Sequence, residues 1–155
     1  MTTIQTSRRS GGFTLVELMV VILVAAILLS IAVPTYQTQI RHSRRTEART
    51  ALLDLANREE RYFSVNNSYT TSQQALGYGT TTTTFQAVSV GSGYYTVTIT
   101  VTAGDPTTSP VTQPGYSITA TAVGGQANDT ACATFTVDQT GTQSSTTAPA
   151  STCWH

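Results

Sequence analysis

The stretch Gly11-Gly12-Phe13-Thr14-Leu15-Val16-Glu17 begins an apolar run that extends to Val33. At a rise of about 1.5 Å per residue, a helix of this length nearly crosses the hydrocarbon core of a bilayer. Glu17 is the only charged residue in the run, and an ionised carboxylate in a membrane is costly unless it has a partner. The sequence therefore predicts a membrane-spanning helix in which Glu17 needs a partner.

Three interpretations of the apolar run are open. It is the apolar region of a secretory signal with a weak cleavage site at Ser30-Ile31-Ala32, a plain membrane anchor, or a helix freed from a leader by a cut between Gly12 and Phe13. A secretory signal or a plain anchor has no need of a buried carboxylate. Glu17 therefore favours the third interpretation.

The second half of the chain is almost uncharged. All eight basic residues of this 155-residue chain are arginines, and the last of them is Arg61. From Tyr62 onward the only charged side chains are three aspartates, whereas Thr, Ser, Gly and Gln are abundant. This composition is typical of a β-rich surface outside the cell. It does not favour nucleic-acid binding, which needs basic side chains.

The arginines around the apolar run bear on its orientation. Arg8 and Arg9 precede the run, and four arginines follow it between residues 41 and 49. Under the positive-inside rule this count does not favour a cytoplasmic N-terminus. The uncharged second half and the two cysteines favour export of the C-terminal part instead, and we predict that orientation.

Cys132 and Cys153 both lie near the C-terminus, and in an exported chain they predict a disulfide. The bond would tie a polar tail back to the preceding strand. A metal or redox site is disfavoured because the chain has no CxxC motif and its histidines, His42 and His155, are far apart in sequence. No catalytic combination of residues is apparent. The sequence therefore predicts no enzyme activity, cofactor or metal.

Pro34 follows the apolar run and is expected to kink or loosen the helix, because proline lacks an amide donor. Helical periodicity resumes at about Tyr36 and ends near Ser64, and Asp54 and Arg58 form a favourable pair four residues apart. One apolar stripe recurs at steps of three and four residues. It consists of Ala48, Leu52, Leu55, Ala56, Tyr62 and Phe63.

Alternating apolar and polar residues predict an antiparallel sheet after a loop. Four strands are expected, at Phe85–Val90, Tyr95–Thr102, Tyr116–Ala122 and Ala131–Val137. The apolar face of this sheet would pack on the helical stripe. The predicted fold class is therefore α+β, with a long N-terminal helix on a four-stranded antiparallel sheet.

The segment Gly12-Phe13-Thr14-Leu15-Val16-Glu17, with the apolar helix behind it, resembles the class III signal sequence of type IV pilins. The rest of the chain resembles the PilE-type minor pilins. The similarity lies in the helix segments Arg45-Thr46-Glu47-Ala48 and Arg58–Ser64, and in Ala131-Cys132, Phe135–Gly141 and Cys153-Trp154-His155.

This resemblance implies a division of the chain into five segments. They are a cleaved prepilin leader (1–12), a transmembrane and filament-core helix (13–33), an amphipathic helix (34–64), an αβ-loop (65–84), and an antiparallel sheet with a disulfide-bounded C-terminal region (85–155). The expected location is the inner membrane before assembly and an extracellular pilus afterwards, with the C-terminal domain outside the cytoplasm.

The resemblance also implies a mechanism. A prepilin peptidase and methyltransferase of the inner membrane would cut after Gly12 and methylate the new amine of Phe13. The Glu17 carboxylate would then pair with the Phe13 amine of a neighbouring pilin in the filament. In an apolar environment such a pair is strong, while either charge alone is costly.

The predicted function is therefore that of a minor pilin, which supports pilus biogenesis, twitching motility and adhesion together with other major and minor pilins. One alternative is a minor pilin that captures DNA during uptake, but the lack of basic residues after Arg61 predicts no strong nucleic-acid binding. A second alternative is a pseudopilin of a type II secretion system. A calcium site in place of the terminal disulfide would favour that alternative.

Overall fold

The structure is a computed structural model that describes residues 12–79, 85 and 87–154. Helix α1 runs from Leu15 to Asn66. The described residues form two compact units that are divided between Gln39 and Ile40. Helix α1 contributes residues to both units. The predicted strand residue Gln86, the threonines 80–84, His155 and the leader up to Gly11 lie outside the described residues.

The first unit consists of the apolar part of α1, and all of its side chains from Gly12 to Gln39 are exposed in the isolated chain. Helix α1 is long and apolar enough to span a membrane. Pro34 lies within α1 and does not end it. The kink at this position therefore stays a prediction. Thr35 and Thr38 each donate a hydroxyl hydrogen bond to the carbonyl four residues earlier.

The second half of α1 buries a stripe at steps of three and four residues. The predicted members Ala48, Leu52 and Leu55 are fully buried, which confirms the core of the stripe. Two charged residues, Arg45 and Glu59, extend it at either end. The helix ends at Asn66, two residues later than predicted, because Asn67 adopts a positive φ of 52°.

The sheet has five antiparallel strands, and its strand order follows the sequence. The prediction of four strands was wrong. The strands are β1 (Val88–Val90), β2 (Tyr95–Thr102), β3 (Gly115–Ala122), β4 (Thr134–Asp138) and β5 (Gln143–Ser145).

Strand β5 has no apolar alternation, which explains why its sequence gave no signal. Its three residues pair with β4 at the edge of the sheet through their backbones. Asp138 stabilises the turn between β4 and β5, because its Oδ1 accepts hydrogen bonds from the amides of Thr140 at 2.9 Å and Thr142 at 3.0 Å. Gly141 completes the turn with a φ of 75°. An edge strand needs backbone partners but no buried face.

The fourth predicted strand also begins later than expected. Two short 3-10 helices, Gly124–Asn128 and Thr130–Cys132, precede β4. Three side chains of this segment are buried, namely Gln126, Asp129 and Cys132. We call it the 3-10 segment, residues 124–132.

The inner face of the sheet packs on the α1 stripe to form one core. Tyr95, Phe135 and Trp154 make consecutive edge-to-face contacts, with ring centroids 5.3 Å and 5.5 Å apart. On the outer face, Asp138 lies opposite Ser117 at the end of β4, and most of the other side chains carry hydroxyl groups. These are Thr96, Thr98, Thr100 and Thr102 on β2, Ser117, Thr119 and Thr121 on β3, and Thr134 and Thr136 on β4.

The C-terminal segment is closed by the predicted disulfide between Cys132 and Cys153. Helix α2 (Ala150–Cys153) brings the second cysteine to the 3-10 segment. The indole of Trp154 donates a hydrogen bond to the carbonyl of Ser144 at 3.2 Å. The polar tail is therefore held in place by a covalent bond and by the pairing of β5 with β4.

Candidate subunit-assembly site

Glu17 lies in the first turn of α1, four residues after Phe13 in the sequence. The Glu17 amide donates a hydrogen bond to Thr14 Oγ1 at 3.2 Å, which satisfies one of the free amides at the start of the helix. Phe13 and Glu17 are both exposed in the isolated chain. A carboxylate in the first helical turn also interacts favourably with the helix dipole, although this contribution is small.

The Glu17 carboxylate has no ion-pair partner within residues 12–79, 85 and 87–154. The side chains that follow it on α1 are apolar and exposed, from Leu18 at 57 % to Ile31 at 68 %. An apolar surface of this extent needs lipid or other protein around it. Within the described residues, therefore, an acid without an ion-pair partner stands at the start of an apolar helical segment whose side chains are exposed as far as Gln39.

We call the second unit, residues 40–154, the globular unit. A buried ion pair that was not predicted fastens its 3-10 segment to α1. Arg45 donates two parallel hydrogen bonds to the carboxylate of Asp129, from Nε at 2.7 Å and from Nη2 at 2.6 Å. Both side chains are buried. These hydrogen bonds raise the pKa of the Arg45 guanidinium, so that it stays charged.

Further hydrogen bonds connect this pair to the sheet. Gln126 Nε2 donates to Asp129 Oδ2 at 3.0 Å and to the hydroxyl of Tyr95 at 3.2 Å. Tyr95 in turn donates to the carbonyl of Cys132 at 3.1 Å. The network therefore joins α1, β2 and the disulfide through the 3-10 segment.

One sequence signal could have indicated Arg45 and Glu59. Both residues continue the three- and four-residue spacing of the apolar stripe, and a charged residue on a buried helical face needs an internal partner. The identity of the partner, Asp129, could not be read from the sequence. It lies 84 residues away in a segment without periodicity.

Glu47 of α1 contacts the turn between β1 and β2. Its carboxylate accepts hydrogen bonds from the Ser92 amide at 2.7 Å and from the Ser92 hydroxyl at 3.1 Å. Gly91 approaches the Glu47 side chain so closely that a Cβ atom would collide with it, and Gly91 has a φ of 55°. The turn between β1 and β2 is thus positioned by α1.

Three of the six arginines of the globular unit contact other groups of the chain as follows. Arg45 is paired with Asp129, and Arg44 lies with its Cζ 3.3 Å from the ring centroid of Tyr94. Arg58 binds the predicted partner Asp54 at 2.8 Å and also the carbonyl of Leu76 at 2.8 Å. The potential phosphate-binding side chains of this unit are therefore dispersed along α1 and partly occupied.

Comparison with known proteins identifies the family. The family model described as type IV minor pilin ComP, DNA uptake sequence receptor, matches residues 34–136. The chain belongs to this family of type IV minor pilins. A second model, the prokaryotic N-terminal methylation motif, matches residues 7–33 of the pilin. The closer likeness to PilE-type minor pilins stays a prediction.

Three curated relatives are similar to part of this pilin. The type IV major pilin protein PilA of Myxococcus xanthus is 34% identical over 70 residues, which is 45% of this chain and 32% of the relative. The type IV wide pilus major component PilA4 of Thermus thermophilus is 38% identical over 69 residues, 44% of this chain and 53% of the relative.

The third relative, the type II secretion system core protein G of Aeromonas hydrophila, is also 38% identical over 69 residues, 44% of this chain and 48% of the relative. The pilin therefore spans between about a third and about half of the length of these relatives. The family match points to a structural subunit rather than an enzyme.

Proposed function

We propose that this minor pilin is a membrane-stored subunit that enters a type IV pilus by charge pairing at the start of α1. The leader would be cut between Gly12 and Phe13, and the new amine of Phe13 would be methylated. Glu17 would then bind the Phe13 amine of a neighbouring pilin. The observation that carries the proposal is a Glu17 without an ion-pair partner among residues 12–79, 85 and 87–154, at the start of an exposed apolar helix and within a segment that matches the N-terminal methylation motif.

The physical basis is the low dielectric constant around α1. Two opposite charges attract each other far more strongly in an apolar medium than in water, and an isolated charge is strongly disfavoured there. A subunit that docks with Glu17 beside a neighbouring amine satisfies both charges. A subunit that docks out of register leaves two charges unpaired, so the pair selects the correct position along the filament.

The proposal gives each segment of the chain a separate role. Residues 13–33 would form the membrane-spanning and filament-core helix, and residues 34–64 would support the globular unit. Pro34 has no amide hydrogen, so the carbonyl four residues earlier receives no hydrogen bond from it. Pro34 would therefore loosen the helix where the apolar run ends. We place the globular unit on the periplasmic or extracellular side, because it contains the disulfide.

The test of this proposal compares Glu17→Gln with Ser30→Ala in a strain that makes pili. Glu17→Gln keeps the size of the side chain and removes its charge, whereas Ser30→Ala changes a polar residue of the same helix without changing charge. We expect both variants to be cleaved and inserted in the membrane. Only Glu17→Gln should be depleted from sheared filaments, and wild-type incorporation of this variant would contradict the proposal.

N-terminal mass analysis of the membrane-extracted protein tests the leader separately. A methylated Phe13 supports the proposal. A chain that starts at Val33 would identify a secretory signal, and an uncut chain would identify a plain anchor. Either of these two results would refute the leader assignment.

A second candidate function is DNA capture, which is favoured by the description of the matching family model as a DNA uptake sequence receptor. Specific DNA binding needs phosphate contacts from Lys or Arg together with contacts to base edges. After Arg61 this chain offers neither lysine nor arginine. We therefore rank a structural role in the pilus above DNA capture for this member of the family.

A further inference from the structure

The segment after α1 is held on the helix by several side chains of its last turns. From here on, αβ-loop means residues 67–79, the part of the predicted loop 65–84 that follows α1 and that the structure describes. Glu59 Oε2 accepts the amide of Thr70 at 3.1 Å, and Glu60 Oε1 accepts the hydroxyl of Tyr69 at 3.2 Å. Further along, Arg58 donates to the carbonyl of Leu76. The αβ-loop is thus fastened at its beginning by two acids and later by an arginine.

Glu59 is unusual among these contacts because it is fully buried. Its Oε2 has the Thr70 amide as a partner, but its Oε1 is buried and forms no hydrogen bond. The ion pairs formed by the described residues are Arg45–Asp129 and Arg58–Asp54, so none of them serves Glu59. A buried carboxylate with one hydrogen bond and no cation is poorly satisfied.

The groups that face Glu59 add no positive charge. Glu60 comes from α1, Tyr69 from the αβ-loop and Tyr116 from β3, and each of them interacts electrostatically with Glu59. Tyr69 stacks on Tyr116 edge to face, with ring centroids 4.8 Å apart. These aromatic rings help to keep water away from the carboxyl group. The surroundings therefore favour its neutral form.

Burial raises the pKa of the Glu59 carboxyl to about 7, the Thr70 amide opposes this effect, and Glu60 adds to it. Both protonation states are therefore populated near neutral pH. The other carboxyl groups that contact the αβ-loop, Asp54 and Glu60, are exposed on the helix surface, whereas Glu59 is buried.

We propose that Glu59 is a proton-operated latch that closes the beginning of the αβ-loop on α1 when its carboxyl group is neutral and releases it when the group is ionised. An ionised Glu59 is stabilised by hydration only if water reaches its carboxylate. In the closed arrangement the contact with Thr70 covers the carboxylate. Separation of residues 67–73 from the helix exposes the carboxylate. The contacts of Arg58 with Leu76 and with the ring of Tyr78 keep the far end of the αβ-loop in place.

The latch would change a defined surface of the pilin. Asn67, Ser68 and Tyr69 form one wall of a cleft of ≈ 420 Å³, and the opposite wall is the loop between β2 and β3. Asp105 and Thr112 hold that second loop together by two backbone hydrogen bonds of 2.8 Å and 3.1 Å. Release of the αβ-loop therefore widens the cleft from one side while the other wall stays fixed.

The test is an amide NMR titration of the full-length chain in detergent micelles, from about pH 5 to about pH 9. We expect the signals of Thr70 and its loop neighbours to move between a closed and an open position, with a midpoint near the Glu59 pKa of about 7. The difference between this pKa and the ordinary value of 4.5 allows the opening equilibrium to rise by at most roughly 300-fold.

Two variants separate the latch from general effects of pH. Glu59→Gln should keep the loop signals in the closed position throughout the titration, because its side chain stays neutral. Glu47→Gln is the matched control, since Glu47 is a carboxylate of α1 that binds Ser92 outside the αβ-loop, and it should leave the titration in place. Loop signals that do not change in the wild type, or that titrate equally in Glu59→Gln, would overturn the proposal.

A wild-type measurement decides the matter if Glu59→Gln fails to fold. The side-chain carboxyl carbon of Glu59 can be followed directly in the same titration. A common midpoint for this carbon and the Thr70 amide supports the latch. Midpoints that differ clearly would show that the loop responds to another group and would overturn the proposal.

Discussion

Arg45 and Asp129 together decide how the 3-10 segment sits on α1. Their two hydrogen bonds are short and parallel, and both side chains are withdrawn from water. A buried pair of this kind is weak evidence of net stabilisation, since two charges had to be dehydrated to form it. The pair fixes the position of the 3-10 segment on α1, because separating the two side chains would leave a buried charge without its partner.

The first prediction concerns the loss of one partner. Asp129→Ala leaves the Arg45 guanidinium buried without an anion, and we expect the free energy of unfolding to fall by roughly 3–5 kcal/mol. Chemical denaturation monitored by circular dichroism measures this change. Asp105→Ala is a suitable control, since Asp105 is only partly buried and bonds within its own loop. Equal effects of the two changes would contradict the anchoring role of Asp129.

The second prediction concerns pH and Glu59. The unfolded chain releases the Glu59 proton near pH 4.5, while the folded chain keeps it until about pH 7. Between these values the folded state binds more protons, so stability falls as pH rises through this interval. The full loss is at most about 3 kcal/mol, and local opening of the αβ-loop reduces it.

Thermal unfolding at a series of pH values tests this second prediction. The contribution of Glu59 should be greatest below its unfolded pKa and should be lost above about pH 7. Glu59→Gln should flatten the curve across this interval and raise the stability at alkaline pH. An unchanged slope in this variant would assign the pH dependence to other groups.

At the level of elements, the C-terminal segment depends on one covalent bond. Cys132 and Cys153 join the 3-10 segment to α2, and β5 between them consists of three polar residues. Loss of the bond frees this loop in the unfolded chain. In the chain-entropy model, closing a loop of this size stabilises the folded state by about 3 kcal/mol.

The third prediction follows directly. Cys153→Ser should lower the free energy of unfolding by about 3 kcal/mol and should expose Trp154, which packs on Phe135. Denaturation and tryptophan fluorescence measure both effects. Ser151→Ala, an exposed change within α2, is the control and should behave as the wild type. A Cys153→Ser variant with unchanged stability would refute the structural role of the bond.

Sequence periodicity predicted the elements whose faces are buried. Leu52 and Leu55 on α1, and the alternation in β2 and β3, followed from the periods of a helix and of a strand. Strand β5 escaped because it lies at an edge and buries almost nothing. The burial of Arg45 and Glu59 was not predicted, because their partners, Asp129 and the Thr70 amide, are brought to them only by the tertiary structure.

The candidate assembly site shows the opposite balance. Gly12, Phe13 and Glu17 were predicted from the sequence by the placement of an acid within an apolar run, and they stay a prediction. The structure adds the hydrogen bond from the Glu17 amide to Thr14. The partner of Glu17 belongs to another molecule in our proposal. A single chain therefore carries the signal for the site without its complement.

At the level of the whole molecule, charge distribution separates the two candidate functions. Residues 40–154 contain six arginines and seven acidic side chains. The sheet face is covered by hydroxyl groups, and the arginines lie on α1. Such a surface provides little attraction for a polyanion.

The fourth prediction is weak DNA binding. Fluorescence anisotropy of the full-length chain in micelles with labelled duplexes should give affinities no tighter than the nonspecific range of about 10⁻⁴–10⁻⁶ M. Arg61→Gln, at an exposed arginine, should reduce any residual affinity and its salt dependence. Tight, sequence-dependent binding would instead establish DNA capture as a function of this pilin.

The closed C-terminal end has a mechanical consequence. When the chain is stretched between its two ends, Cys132 and Cys153 transmit the force directly, and the residues between them cannot lengthen. Fully extended, a segment with this separation of 21 residues would span roughly 70 Å. While the disulfide is intact, these residues cannot be extended by force. Strand β5 and helix α2 therefore bear no load even after the rest of the domain has unfolded.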